Sequence, residues 1–193
     1  MPEKIDRRKK YTKMVLKESL VDLLKQKPIA SVTVKELCEL ADINRSTFYS
    51  HYADPYDLLA TISEEVMLDM DHHLNQYHCG KEEEALHMTE KIMEYIADRS
   101  DICQVLLSGH GDATFKKRIM ELAKKHILEK WIDQYKLRGK LSPYIPLMIV
   151  SGAIDAIESW LVGGKKESPA EMAVLIYQFT NHGLGGLRKA SQT

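Results

Sequence analysis

Two helix-start signals lie close together in residues 33–52, and they leave room for only short helices in this part of the chain. Thr33 is followed by Glu36 at the spacing of a capping box, in which each side chain bonds the backbone N–H of the other residue. Asn44 has a side chain preferred at a helix start, and it follows a break in the apolar pattern. The sequence therefore predicts two short helices joined by a tight turn, with the second covering residues 45–52.

Helical periodicity extends over the rest of the chain, and no run of alternating apolar and β-branched residues suggests a sheet. Leu16, Leu20 and Leu24 repeat on one face of a first helix, which Pro28 ends because proline cannot continue it. We therefore expect an all-α fold. The predicted helices run from about residue 11 to Pro28 and then over residues 34–41, 45–52, 55–78, 82–99, 102–107, 112–137, 146–162 and 170–182.

The expected domain boundary lies at Cys79 and Gly80, because glycine commonly terminates a helix. We predict an N-terminal three-helix domain at residues 1–54, a connecting helix at residues 55–79 and a C-terminal helical domain at residues 80–193. The length of 193 residues is sufficient for a buried helical core.

The charge of the chain is distributed unevenly. Residues 1–52 carry 11 Lys/Arg against 7 Asp/Glu, although the net charge of the whole chain is −1. A basic N-terminal end on an acidic body fits a protein that presents one end to a polyanion. A solvated, charge-rich N-terminus explains the same numbers equally well.

The expected compartment is the cytoplasm. The three cysteines are widely spaced, and no apolar signal segment follows the basic start. The longest apolar stretch, residues 147–162, is interrupted by Asp155 and Glu158 and is shorter than the ~20 residues that a membrane-spanning helix needs. We therefore predict no membrane partner.

Two short helices joined by a tight turn have the geometry that places the second helix in the major groove of DNA. The polar residues of the second helix lie on the side away from Phe48, where they can reach base edges or phosphates. These residues are Arg45, Ser46, Thr47 and Ser50.

Residues 47–52, Thr-Phe-Tyr-Ser-His-Tyr, resemble the end of the recognition helix in the tetracycline-repressor (TetR) family. The resemblance extends over about residues 8–60 and includes Val-Thr-Val-Lys-Glu-Leu-Cys-Glu-Leu-Ala at 32–41. It implies that Thr33, Tyr49 and His51 contact phosphates and that Arg45, Ser46 and Thr47 read bases. The full set assigned to DNA binding is Thr33, Lys35, Arg45, Ser46, Thr47, Tyr49, Ser50, His51 and Tyr52. Ordinary packing between helices is the alternative role for Tyr49, His51 and Tyr52.

Two positions depart from the family pattern. Pro55 stands where family members commonly have a lysine that contacts a phosphate, and Asp42 replaces a frequent glycine before the turn. Tyr56 and the amides of the helix N-terminus at residue 55 are expected to offer another place for an anion.

The segments Ser151–Gly164 and Ser168–Met172 resemble the C-terminal domain of TetR-type proteins from low-GC Gram-positive bacteria. The resemblance implies a homodimer built from the last two long helices as a four-helix bundle. Small residues on one helix and an apolar stripe on the other fit this role, and an intramolecular core explains both patterns equally. These residues are Gly152, Ala153 and Ala156, and Met172, Leu175, Ile176 and Phe179.

An effector pocket is expected in the C-terminal domain, with Trp131, Tyr135, Asp155 and Trp160 as candidate lining residues. Asp155 and Glu158 are unusual in so apolar a helix, and they either face this pocket or pair with a basic residue such as Lys165.

No catalytic residues, cofactor or metal site are predicted. His72, His73, His78, Cys79 and His87 do not have the spacing of a closed zinc site, and the chain has no phosphate loop or nucleophile elbow. The predicted function is that of a dimeric repressor that binds a palindromic operator in double-stranded DNA and is released by an unknown small-molecule effector. The alternatives are a partner or coactivator protein that does not bind an operator itself, and a helical enzyme of unknown chemistry.

Overall fold

The computed structural model describes the backbone of residues 2–76, 82–108, 111, 114–128 and 144–190. These residues form helices and no strands, which confirms the predicted all-α fold. A single 3-10 turn at Ile29–Ser31 and a π-helical turn at Lys124–Leu128 accompany the α-helices in this part of the chain. In chain order the helices are α1 (Pro2–Leu24), α2 (Val34–Ala41), α3 (Arg45–Tyr49), α4 (Pro55–Asn75), α5 (Glu82–Asp98), α6 (Ser100–Leu107), α7 (Phe115–Ala123), α8 (Tyr144–Val162) and α9 (Pro169–Ala190).

The first helix is longer at its start and shorter at its end than the sequence predicts. It begins at Pro2 rather than near residue 11, because proline suits the first helical position and the lysines and arginines after it are good helix formers. It ends at Leu24, and the Gln26 N–H donates to the Leu23 carbonyl in a turn. The chain leaves the helix before Pro28 because helical geometry is disfavoured next to a proline.

The third helix ends at Tyr49, so the predicted extent to Tyr52 is wrong at the C-terminal end. The N–H groups of His51 and Tyr52 both donate to the Phe48 carbonyl, at 2.9 and 3.0 Å, and this turn closes the helix. The predicted helix over residues 112–137 has α-helical geometry at Phe115–Ala123 and continues as the π-helical turn, while residues 129–143 lie outside the described part.

The chain divides into two compact units. Unit 1 comprises Met1–Val66 and Asp101–Phe115, and unit 2 comprises Met67–Ser100 and Lys116–Thr193. The predicted domain limits at residues 54 and 79 stay a prediction. In unit 1, α1 packs against α2 and α2 against α3. The fully buried side chains of this unit include Leu16, Leu20, Leu24, Leu37, Phe48 and Leu58.

Unit 2 is organised around α9, which packs along α5 and also contacts α8. Its buried apolar side chains include Met88, Met93, Ile149, Ile154, Met172 and Ala173. Asp71 of α4 accepts hydrogen bonds from His126 and Lys125 of the π-helical turn, at 2.6 and 3.0 Å. None of the helices in the described part of the chain combines the length and apolar character that a bilayer span requires.

Candidate nucleic-acid interface

The capping box at Thr33 and Glu36 forms as the sequence predicts. The Thr33 hydroxyl accepts from the Glu36 N–H at 3.3 Å, and the Glu36 carboxylate accepts from the Thr33 N–H at 3.0 Å. Lys27 also donates to this carboxylate. The bond from Lys27, followed by those from Thr33, lowers the pKa of Glu36 to about 2. The start of α2 is therefore held by charge-assisted hydrogen bonds.

The turn between α2 and α3 depends on a left-handed residue. Asp42 has φ 53° and ψ 47°, a conformation in which glycine is unstrained and aspartate is among the better tolerated alternatives. Its N–H and that of Ile43 both donate to the Cys38 carbonyl. Cys38 is buried, and burial raises the pKa of its thiol. The frequent glycine of the family pattern is explained by this backbone geometry.

One face of α3 is fixed to the core and the opposite face is open. Asn44 caps the helix by accepting from the Ser46 N–H at 3.1 Å, and Phe48 is fully buried. Arg45 is exposed, and Tyr49 is 58% exposed with its ring packed edge-on against Phe48 at 5.5 Å. Arg45 and Tyr49 are therefore the side chains best placed to meet a partner.

Several hydroxyls predicted to contact DNA already have partners within the motif. The Ser46 hydroxyl donates to the Asn44 side chain, and the Ser50 hydroxyl donates to the Thr47 carbonyl. The Thr33 hydroxyl donates to Glu36 at 2.7 Å, so both Thr33 donors are occupied by one carboxylate. Lys35 is exposed and lies 3.8 Å from a carboxylate oxygen of Glu39. These side chains therefore already interact within the motif itself.

The structure corrects the role of Tyr52. Its side chain is 4% exposed and its ring packs at 6.0 Å from that of Phe48, so it belongs to the core of unit 1 rather than to an accessible surface. The alternative of packing between helices therefore applies to Tyr52. His51 remains half-buried, with its ring 6.3 Å from the Tyr52 ring.

The start of α4 is poorly suited to an anion. The Ala53 N–H donates to the Asp57 carboxylate and the Asp57 N–H donates to the Asp54 carboxylate, both at 2.9 Å. Two aspartates thus occupy part of the place where amides were expected to hold a phosphate. Pro55 is buried, and Tyr56 is exposed.

A groove in unit 1 brings the first turns of α1 beside the end of α3. Cations of α1 line one side of the groove, and residues at the end of α3 line the other. The first group is Arg8, Lys9, Lys10 and Lys13, and the second is Thr47, Ser50 and His51. The residues predicted from the motif did not include these α1 cations. The basic run at residues 7–10 could have indicated these cations from the sequence. Only the fold shows that they lie beside the end of α3.

An apolar cavity of about 150 Å³ lies within unit 2, bounded by α5, α8 and α9. Its lining includes Met88, Ile92, Met93, Ile149, Ile154 and Ile176. Asp155 and Trp160, the described members of the predicted effector site, do not line it. Trp131 and Tyr135 lie outside the described residues.

A family model described as the C-terminal region of transcriptional regulators of the TetR type matches residues 83–182. This match covers half of the chain and lies outside the helix-turn-helix. The chain belongs to the TetR family of transcriptional regulators.

Individual relatives agree with this assignment. The HTH-type transcriptional regulator YxbF of Bacillus subtilis is 26% identical over 109 residues, which are 52% of this chain and 28% of that relative. The chain thus spans little more than a quarter of the length of this curated relative.

Two solved structures share the fold. A TetR transcriptional regulator from Streptococcus agalactiae 2603V aligns with a TM-score of 0.65 and 22% identity, over 93% of this chain and 99% of that one. The regulator FadR from Bacillus subtilis, solved in complex with stearoyl-CoA, aligns with a TM-score of 0.65 and 15% identity, over 86% and 96% of the two chains.

The acidic residues of α8 in this TetR-family regulator pair with a lysine that the sequence did not indicate. Lys116 of α7 lies 2.5 Å from Glu158 and 3.5 Å from Asp155, so the suggested partner Lys165 is wrong. Lys165 instead donates to the Ala97 carbonyl and to the Ser100 hydroxyl, near the end of α5. Trp160 is buried, and its indole N–H donates to the Glu167 carbonyl.

The apolar stripe predicted on α9 has two parts. Met172 is buried in the core of unit 2, whereas Leu175 and Phe179 are exposed, the latter by 66%. On α8, a Cβ added at Gly152 would meet nothing within 4 Å. Core packing therefore accounts for Met172, and it does not account for Leu175 or Phe179.

The histidines do not form a metal site in the described part of the regulator, where no group of three or more His, Cys, Asp or Glu side chains is arranged to hold an ion. His73 packs against the Tyr95 ring at 5.3 Å, and His72 lies within hydrogen-bond distance of Gln76. His78 and Cys79 lie outside the described residues.

Proposed function

We propose that this TetR-family regulator is a repressor that binds a palindromic operator as a homodimer and is released by a small apolar effector. The main observation behind the proposal is that α3 has one buried face and one exposed face. Phe48 anchors the helix in the core, while Arg45 and Tyr49 stay accessible. A short helix held in this way can enter a major groove without rearrangement of the core.

Arg45 is the proposed base-reading residue. No described carboxylate lies within ion-pair distance of its guanidinium, and an arginine can donate two hydrogen bonds to the edge of a guanine. Tyr49 and His51 are proposed to contact phosphates beside it. Residues 1–54 would then form the DNA-binding domain, residues 55–79 the connecting helix, and residues 80–193 the domain for ligand binding and dimerisation.

A second copy of this chain is the proposed partner of the exposed apolar residues on α8 and α9. Four large apolar side chains of these helices are more than half exposed, and exposed apolar residues of this size favour an interaction surface; they are Met148, Val162, Leu175 and Phe179. A two-fold dimer presents two recognition helices to half-sites about 34–36 Å apart, so the operator should be a near-palindrome.

The proposed effector site is the apolar cavity of unit 2 rather than the surroundings of Asp155 and Trp160. Its described lining residues carry no charge, which favours an uncharged apolar ligand. An apolar cavity of roughly 150 Å³ accommodates a molecule the size of benzene. A long acyl chain, such as that of the stearoyl-CoA bound by FadR, would need the cavity to expand.

The proposed function is tested by binding to the DNA that flanks the gene of this protein, compared with a scrambled duplex. Arg45→Ala should cost about 1–3 kcal/mol on the operator and relax the preference at one base position, with a smaller loss on scrambled DNA. Arg7→Ala is the matched control, because Arg7 lies outside the motif and its loss should affect both duplexes equally. Unchanged selectivity in Arg45→Ala would show that this residue does not read bases.

The alternative function is that of a partner or coactivator protein with the same fold. It is supported by Pro55 and by the two aspartate carboxylates at the start of α4, which disfavour one phosphate contact of the family pattern. If the wild-type dimer shows no preference for any flanking sequence, this alternative takes precedence.

A further inference from the structure

The described lysines and arginines of unit 1 form two sets that differ in their partners. Four lysines each lie within 4 Å of a carboxylate oxygen, namely Lys17, Lys25, Lys27 and Lys35. A second set has no carboxylate at ion-pair distance among the described side chains, and all of its members are exposed. This set comprises Arg7, Arg8, Lys9, Lys10, Lys13 and Arg45.

The unpaired cations are concentrated in one place. All but Arg7 and Arg45 line the groove of about 860 Å³ between the start of α1 and the end of α3. Lys9 and Lys13 are separated by four positions, so they lie on the same face of α1, about one turn apart. They are near enough to His51 that their charges act on its ring.

The chemistry of the groove suits an extended polyanion better than a small anion. Its cations are exposed and distributed over more than one turn of α1, so they do not converge on one point. Charges one helical turn apart can each meet a different phosphate of a strand that carries one negative charge per ~3.4 Å of axis. The opposite wall, at Thr47, Ser50 and His51, belongs to the helix-turn-helix itself.

We propose that the groove between the start of α1 and the end of α3 binds the phosphate backbone of duplex DNA, with Lys9 and Lys13 as sequence-independent contacts that flank His51. This inference rests on the proposed function and adds contacts from outside the helix-turn-helix. Because the groove holds phosphates rather than base edges, it should act equally on every DNA sequence.

Partial burial is the first cause that lowers the pKa of His51, and the charges of Lys13 and Lys9 follow. The ring therefore lies within reach of the positive charges of both lysines. A phosphate in the groove would place a negative charge near the ring and oppose the effect of the two lysines.

The test is a salt titration of the full-length protein on a duplex of scrambled sequence. The double variant Lys9→Gln, Lys13→Gln is compared with the control Lys17→Gln, Lys25→Gln, which removes the same charge from lysines that already have carboxylate partners. Loss of two phosphate contacts should lower the slope of log K against log salt by about 1.8 and weaken binding about 60-fold at 0.1 M salt. The control should keep the wild-type slope, and circular dichroism should show both variants folded.

Three outcomes would overturn the proposal. The first is an equal slope in the two double variants. The second is saturation of the groove by inorganic phosphate at concentrations that do not displace DNA, which would indicate a small-anion site. The third is selective loss of binding to anionic phosphatidylserine vesicles with DNA binding intact. The scrambled duplex contains no operator, so a protein without base selectivity would still show the slope difference. Phosphate binding by the groove and recognition of an operator can therefore fail separately.

Discussion

The two units of this regulator differ in how their exposed cations are arranged. In the described part of unit 2, the lysines and arginines that pair with carboxylates include Lys91, Arg99, Lys116, Lys124 and Lys125. Unit 2 also exposes large apolar side chains, as at Phe179 and Met148. In unit 1, six exposed cations have no described carboxylate at ion-pair distance, and five of them lie close together in the sequence, within residues 7–13.

We propose that this difference reflects the partner of each unit. Exposed ion pairs contribute little to stability. The main consequence of such a pair is that its cation is less available to bind another molecule. An unpaired group of cations attracts a polyanion, and exposed apolar surface favours another protein surface. The predictions below test this division, beginning with the change that should have the largest effect.

The largest effect is expected at the apolar surface of unit 2. Phe179→Glu would bury an unpaired carboxylate in the proposed dimer interface, at a cost of about 3 kcal/mol or more, which is a hundred-fold or greater increase in the dissociation constant. Light scattering should then detect the 22.1 kDa monomer, with weaker operator binding. Leu68→Glu, at an exposed leucine of α4, is the control. A dimer unaffected by Phe179→Glu would show that the interface lies elsewhere.

The apolar cavity of unit 2 gives the next prediction. With benzene as the probe at ten times its dissociation constant, the wild type should gain about 1.4 kcal/mol of stability, or about 3–6 °C in melting temperature. Ala153→Phe fills the cavity and should abolish this shift, whereas Ser159→Phe, on the same helix and outside the lining, should retain it. A shift that survives Ala153→Phe would place the ligand in a different site.

Local sequence patterns predicted the elements of the fold well. Capping residues and apolar spacing are properties of neighbouring positions, so the helix starts at Val34, Arg45 and Pro55 follow directly from the sequence. The early start of α1 was missed because its first turns carry charges instead of an apolar stripe. The π-helical turn at Lys124–Leu128 has no comparable signal in the local sequence. The contact of its His126 with Asp71 joins residues 55 positions apart, which no local pattern reveals.

The candidate site was less predictable because its features depend on distant pairs. The motif identified the residues of α3, but not that Tyr52 packs into the core or that Ser46 and Ser50 bond within their own turn. Lys116 pairs with Glu158 across 42 positions of the sequence, which no local pattern reveals. Proximity between the α1 cations and His51 likewise requires the fold.

A smaller effect is expected at the capping box, on which the position of α3 depends. Thr33→Ala should lower the free energy of unfolding by about 1 kcal/mol, because the start of α2 loses its cap, while Thr33→Ser should keep it. Urea denaturation at neutral pH measures the difference. An equal loss in both variants would show that the threonine methyl group, and not the hydroxyl, matters.

The pH dependence of this contribution follows from the lowered pKa of Glu36, about 2 against a usual value of 4.5. A carboxyl with a depressed folded-state pKa contributes stability that is fully present above the unfolded value and is lost as the pH falls toward the folded value. The difference between wild type and Thr33→Ala should therefore shrink between about pH 4.5 and pH 2.

The smallest predicted effect is the pH dependence of DNA binding through His51. Burial and the charges of Lys13 and Lys9 lower the pKa of this ring in the unbound protein, and Arg8 and Lys10 line the same groove. A bound phosphate would oppose those charges and raise the pKa, so the complex would hold more protons than the free protein. Affinity must then increase as the pH falls, by about two- to five-fold from pH 8 to pH 6 at constant salt, since a single proton limits the slope to one.

The measurement is the dissociation constant of a scrambled duplex at several pH values. His51→Asn should flatten the profile, whereas His73→Asn, which removes a histidine of unit 2, should leave it unchanged. A triple variant combines His51→Asn with Lys9→Gln and Lys13→Gln. If all three residues hold the same phosphates, His51→Asn should cause no further loss of affinity once the lysines are removed. Strictly additive losses in that triple variant would mean that His51 contacts a different phosphate from the lysines. If the pH dependence persists in His51→Asn, the titrating group is another residue.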